Sequence, residues 1–104
     1  MRRGEVWWVE FDPPIGRRPV VLISRPRAYA VRSALTVIPL TRTIRNIPAE
    51  VLLDTSDGVP RRCVANADDI TTVGKERILT YICTISAAKL EAIERAIKFA
   101  LDLP

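Results

Sequence analysis

Histidine is absent from this chain of 104 residues. That removes the side chain that most often moves protons near neutrality, so imidazole-based phosphodiester cleavage is excluded. It also removes every Ser-His and Cys-His pair, and with them the ordinary hydrolase triads. Cysteine is scarce. Cys63 and Cys83 match no metal-ligand spacing and read as buried thiols of a reducing cytoplasm rather than a disulfide. No apolar run approaches the roughly 18 residues of a membrane-crossing helix. Glu5, Glu10 and Asp12 interrupt the apolar segment that a signal peptide would need. Linkers, repeats and low-complexity stretches are also missing, which leaves one compact domain over residues 1–104. Asp68 and Asp69 adjoin and diverge if extended, and no acidic cluster accompanies them. No carboxylate shell for a hydrolytic metal, and no cofactor, is expected.

What is present begins with a real core. Hydrophobic residues make up 48% of the chain, which excludes disorder. A chain this short leaves much of its surface uncovered, so partner chains are expected. Charge is split unevenly. Residues 1–45 hold nine arginines, no lysine and three acids, for +6; residues 46–104 hold seven bases and nine acids, for −2, which together give +4. A half whose only bases are arginines argues for a surface that faces a polyanion.

Short strands dominate the pattern. Val6 to Phe11 is β-branched and aromatic, and Asp12 to Gly16 is a proline–glycine turn. Pro19 to Ser24 reads as a short buried strand with proline at its start. Arg25 to Ser33 is irregular or briefly helical. Further strands are expected at Ala34 to Leu40, Glu50 to Leu53, Cys63 to Ala65 and Arg77 to Thr84, with a turn at Asp57 to Pro60 and a polar turn over Asn66 to Gly74. Pro39 cannot donate to a ladder, so it should lie at a strand end or edge. Ser86 is the expected N-cap of a closing helix, whose Leu90, Ile93, Ile97 and Leu101 form one apolar stripe. Many short strands and one terminal helix predict an α+β, mostly β fold: a small antiparallel barrel or curled sheet with the helix packed on it.

Gly16-Arg17-Arg18-Pro19-Val20-Val21-Leu22-Ile23-Ser24 places two guanidinium groups at the mouth of an apolar strand. Proline disfavours the helical region for the residue before it, so Arg18 should be extended at the loop–strand junction. Its neighbour Arg17 would then point to the opposite face, and only one of the two is expected to serve a given cleft. A planar, permanently charged fork on a rigid strand end suits phosphate recognition. Arginine, threonine, aspartate and backbone amides can stabilise a phosphoryl transition state in which RNA supplies its own nucleophile, the 2′-hydroxyl.

The same residues resemble a family. Arg2-Arg3-Gly4-Glu5-Val6-Trp7, the Gly-x-Arg-Pro-Val-Val-Leu-Ile-Ser stretch, Val37-Ile38-Pro39-Leu40-Thr41, Asn66-Ala67-Asp68-Asp69-Ile70-Thr71-Thr72 and a terminal helix, in that order, are similar to the MazF/PemK toxin endoribonucleases. The resemblance implies an SH3-like barrel with a C-terminal helix, usually a homodimer, and metal-independent, sequence-selective cleavage of single-stranded RNA (mRNA, rRNA or tRNA). The products would be a 2′,3′-cyclic phosphate and a 5′-hydroxyl. It implies a cognate antitoxin whose acidic, flexible segment fills the basic groove, DNA binding by the toxin–antitoxin complex, no membrane, and a cytoplasmic location.

Residue by residue, the resemblance assigns catalysis to Arg18, Thr41 and Asp68. Arg18 would contact the scissile phosphate, where charge stabilisation suits a guanidinium better than proton donation. Thr41 would hydrogen-bond a non-bridging oxygen. Asp68 would help activate the 2′-hydroxyl or hold the arginine; read on its own, it equally caps an Asx turn from Asn66 to Asp69. Arg17, Arg42, Arg45 and Asn66 are expected to bind RNA. Trp7, Trp8 and Tyr29 offer stacking faces, although core packing is the better expectation for either tryptophan. Asn66 stands where some relatives carry arginine, and Thr71 where many carry arginine in Gln-Ile-Arg-Thr. The loop Pro13-Pro14-Ile15-Gly16 is shorter than in many relatives, which should leave the groove more open. Two other functions are of a different class. A gyrase-poisoning toxin of the CcdB kind would end in Trp-Gly-Ile, where this chain ends Leu101-Asp102-Leu103-Pro104. A catalytically silent RNA-binding barrel is the second.

Overall fold

The computed structural model describes residues 1–104. Seven strands and two helices follow in the order β1 (Glu5–Glu10), β2 (Arg17–Leu22), α1 (Ala28–Val31), β3 (Ala34–Thr41), β4 (Glu50–Leu53), β5 (Cys63–Asn66), β6 (Thr71–Gly74), β7 (Ile78–Thr84) and α2 (Ala87–Ala100). The strands form one antiparallel sheet in the order β4-β5-β3-β2-β1-β7, and β6 adds to β3. No pairing joins β4 to β7, so the sheet curls without closing through hydrogen bonds, and α2 packs beside β4.

Both faces of the curled sheet are covered, which explains the near-continuous apolar run in β2. Val21 and Ile23 join a core with Val6, Ile38, Leu53, Ile93 and Ala96; Val20 and Leu22 join a second with Val9, Leu35, Val37 and Ile78. Successive side chains of a strand point to opposite faces, so a strand buried on both sides reads as unbroken hydrophobe. On α2, Ser86 caps the first turn by accepting the Lys89 N–H at 3.2 Å. Ile93 is fully buried and Leu90 and Ile97 partly so, whereas Leu101 falls past the last turn and is exposed.

β3 organises the molecule. Its first half pairs with β6 through Ala34↔Gly74 to Val37↔Thr71, its middle with β2 through Leu22↔Val37 to Val20↔Pro39, and its end with β5 through Leu40↔Ala65 and Thr41↔Val64. Pro39 therefore lies inside a strand rather than at its end. It sits where β3 has left β6 and not yet met β5, so it has a ladder partner on one side only and its missing N–H leaves no gap. β2 begins at Arg17, before Pro19, because Glu10↔Arg17 and Val9↔Arg18 extend its pairing with β1.

The expected polar turn over Asn66 to Gly74 is instead a single 3-10 turn, Ala67–Asp69, followed by β6. Thr71 and Thr72 are exposed and only Val73 is buried, so this strand lacks the apolar alternation that marks the others.

Candidate functional site

Where β3 changes partners, the outward ends of β2 and β3 border a cavity of about 520 Å³. Arg17, Arg18 and Pro19 line it from β2, Leu40 and Thr41 from β3, and Trp8 from β1. Arg42 and Thr43 follow from the next loop, and Pro60 and Arg61 from the loop before β5. Four arginines and no carboxylate line this cavity. Like charges gathered at a concave, partly apolar wall focus a positive potential on whatever enters.

Arg18 is half-buried and takes part in none of the four ion pairs. Its guanidinium is held by the strand yet free to bind. Arg17 was expected on the opposite face, out of reach of the same cleft. It lines the cavity too, because the cavity lies at the open end of β2, where both faces are accessible. It differs from Arg18 in being exposed and 3.5 Å from the Glu10 carboxylate. Thr41 is half-buried, and its Oγ1 accepts the Thr43 backbone N–H at 3.3 Å. That bond uses an acceptor site only, so the hydroxyl keeps its proton to donate.

The remaining sequence-derived candidates lie elsewhere. Arg45 is exposed and outside the cavity lining; its backbone N–H donates to Glu50 at 2.9 Å. Asn66 is 4% exposed, and its Oδ1 accepts the Asp68 N–H at 2.9 Å, capping the Ala67–Asp69 turn. Asp68 is exposed and does not line the cavity. The structure thus places Asn66 and Asp68 in the Asx turn, outside the lining that Arg18 and Thr41 share. No group of three His, Cys, Asp or Glu side chains is arranged to hold a metal ion.

The tryptophans divide. Trp7 packs against the second core, donates its indole N–H to Glu5 at 3.0 Å and meets Tyr81 edge-on at 5.8 Å. Trp8, next in sequence, takes the other face and lines the cavity. Tyr29 packs with the second core and donates its hydroxyl to the Ser24 carbonyl at 2.9 Å; burial pushes its pKa up to about 12. Cys63 and Cys83 are free thiols. Cys63 borders the cavity from the core side, and burial, then Asp57, raises its pKa to about 11. A thiol so held is a poor nucleophile at neutral pH.

Residues 2–101 match the protein family described as PemK-like, MazF-like toxin of type II toxin-antitoxin system. The chain belongs to this toxin family. Endoribonuclease MazF9 of Mycobacterium tuberculosis is 40% identical over 99% of this chain and 98% of its own length. Probable endoribonuclease MazF5 of the same organism is 39% identical over 96% and 92%. Among solved structures, an endoribonuclease in complex with its cognate antitoxin from a Mycobacterial species superposes with a TM-score of 0.87 at 30% identity, covering 100% of this chain and 97% of that one. The M. tuberculosis toxin MazF-mt6 gives 0.88 at 25% identity, covering 96% and 98%. The mostly β sheet and terminal helix are therefore the fold of these toxins.

Arg61 lines the cavity although it belongs to none of the sequence motifs above. Its signal was available: Arg61-Arg62 follows Gly58-Val59-Pro60 just as Arg17-Arg18 follows the Pro13-to-Gly16 turn, a second arginine pair between a breaker and a strand. The two loops face the same cavity only because β5 pairs with the end of β3.

Proposed function

We propose that this chain, as one domain over residues 1–104, is an endoribonuclease toxin of a type II toxin–antitoxin system that cuts single-stranded RNA sequence-selectively by internal attack. The observation that carries this reading is the half-buried, unpaired Arg18 beside Thr41 in a cavity lined by four arginines and no acid. The RNA 2′-oxygen attacks the adjacent phosphorus, the bond to the 5′-oxygen breaks, and the ends are a 2′,3′-cyclic phosphate and a 5′-hydroxyl.

Arg18 stabilises the charge that grows on the non-bridging oxygens, and the Thr41 hydroxyl donates to one of them. Arg17, Arg42 and Arg61 hold neighbouring phosphates in place. Trp8 supplies a face on which a splayed base stacks. No carboxylate lines the cavity, so the 2′-hydroxyl proton leaves to solvent, the departing 5′-oxygen takes a proton from solvent, and the protein's contribution is orientation and charge. Such chemistry needs neither metal nor cofactor.

The partners follow from the same surface. An acidic, flexible antitoxin segment fits an arginine-lined groove and excludes RNA from it. That a solved relative is described in complex with its cognate antitoxin supports this. Exposed Leu79 and Tyr81 on β7 and Phe99 at the end of α2 support a second copy as partner, giving a homodimer. No helix is long and apolar enough to cross a membrane, in keeping with action on RNA in the cytoplasm. Incubating the purified protein and a chelator with unstructured RNA, then mapping the ends, tests the reading. Cuts at a common sequence with cyclic-phosphate ends are expected; intact RNA contradicts it.

A further inference from the structure

The arginines of the first half do not all lie at the cavity. Residues 13–49 contain seven arginines and no acid. Arg17, Arg18, Arg42 and Arg45 flank the outer end of the β2–β3 pair. Arg25, Arg27 and Arg32 belong to the connection between the two strands, which includes α1 and so lies at the opposite end. All three are exposed, none joins an ion pair, and none makes a side-chain hydrogen bond.

The acids that the fold brings towards this end do not neutralise them. Glu5 accepts the Arg2 N–H and the Trp7 indole, and Glu94 pairs with Arg3 at 2.8 Å. Glu76 folds back over Gly74 at the end of β6. Lys75 adds a further base beside α1, donating its ammonium to the Tyr29 carbonyl at 2.6 Å. The short helix is anchored: Ala28 is buried in the second core and Tyr29 is bonded to Ser24, so the arginines project from a fixed platform. A strand rises about 3.3 Å per residue, so the seven steps from Arg18 to Arg25 span at most about 23 Å. At about 3.4 Å per stacked nucleotide, roughly seven nucleotides cover that distance.

We propose that Arg25, Arg27 and Arg32 form a second polyanion-binding surface that holds the phosphates of RNA flanking the cut site. The inference rests on the ribonuclease reading for its substrate but concerns residues outside the cleavage cavity. The surface carries no sequence information; it adds salt-sensitive affinity and favours long RNA over short.

The test compares the native protein with the triple variant Arg25→Gln/Arg27→Gln/Arg32→Gln, with thermal unfolding confirming that both fold alike. Native kcat/KM should rise with RNA length from about 6 to about 40 nucleotides around one cut sequence. In the variant the shortest RNA should be cut at the native rate and the gain with length should vanish. Binding is measured separately by fluorescence anisotropy, on the longest RNA with a 2′-deoxy sugar at the cut site. Going from about 50 to about 200 mM salt, the native complex should lose roughly tenfold more affinity than the variant complex.

An unchanged length gain and salt slope in the variant overturns the second surface while leaving cleavage intact. If the native protein cuts no RNA, the ribonuclease reading fails and the anisotropy arm alone decides the surface. Should the variant bind RNA like the native protein but a Glu-rich peptide more weakly, the partner is an acidic protein and the proposal is wrong.

Discussion

Arg18 and Thr41 flank one register pair: Arg18 stands two residues before Val20 in β2, Thr41 stands two after Pro39 in β3, and Val20 pairs with Pro39. Both strands run on past that pair to the cavity, one still bound to β1 and the other already bound to β5. β3 changes partners just before it reaches the cavity. Two residues 23 positions apart in sequence thereby meet a single site on rigid strand ends, where a side chain is held more closely than on a loop.

Thr41→Val should keep the fold and lower the cleavage rate by about 10²-fold, the usual effect of losing one donor to a developing oxyanion. Thr41→Ser, which retains both the hydroxyl and its bond from the Thr43 N–H, should stay within about tenfold of native. Single-turnover cleavage of a short RNA is the measurement. Equal rates for the two variants would assign Thr41 a packing role.

Gly58 closes the 3-10 turn Thr55–Asp57 with φ at +100°, and a Cβ there would come within 2.7 Å of Cys83 Cβ. Gly58→Ala combines a disfavoured backbone conformation with a clash against a strand, so it should cost about 2 kcal/mol or more. For a domain of this size that lowers Tm by about 8 °C or more, measurable by circular dichroism. An unchanged Tm would mean that β7 yields without cost.

Stability should fall on the alkaline side. Cys63 ionises at about 11 and Tyr29 at about 12 in the folded chain, against 9.0 and 10.0 when unfolded. Between those values the unfolded chain binds fewer protons than the folded one, so unfolding becomes easier as pH rises from about 9 to about 12. Below about pH 8 neither group contributes an appreciable slope. In urea titrations across this range, Cys63→Ala should give a shallower decline between pH 9 and 11. A slope identical to native would show that the thiol is not desolvated.

Much of this was legible in the sequence, for reasons that particular residues make plain. Pro19 and the apolar run behind it announce β2 and an extended Arg18; Ser86 and the Leu90, Ile93 and Ile97 spacing announce α2. What sequence could not carry was pairing. β6 buries only Val73, so its strand character depends on β3 beside it. Strand alternation puts Arg17 on the far face, yet a cavity at a strand end admits both faces. Asn66 and Asp68 belonged to a family motif, but a 2.9 Å bond between them closes a turn outside the cavity. Arg61 entered the site through the pairing of β5 with β3, which no local pattern encodes.

The most direct test is single-turnover cleavage of an unstructured RNA by Arg18→Ala, with the ends of any product identified. The unpaired guanidinium is the principal charge-stabilising group, so the variant should fold like the native protein, still bind RNA through Arg17, Arg42 and Arg61, and cut at least about 10³-fold more slowly. Native-like cutting by Arg18→Ala, or native products that end in a 5′-phosphate, would contradict the account.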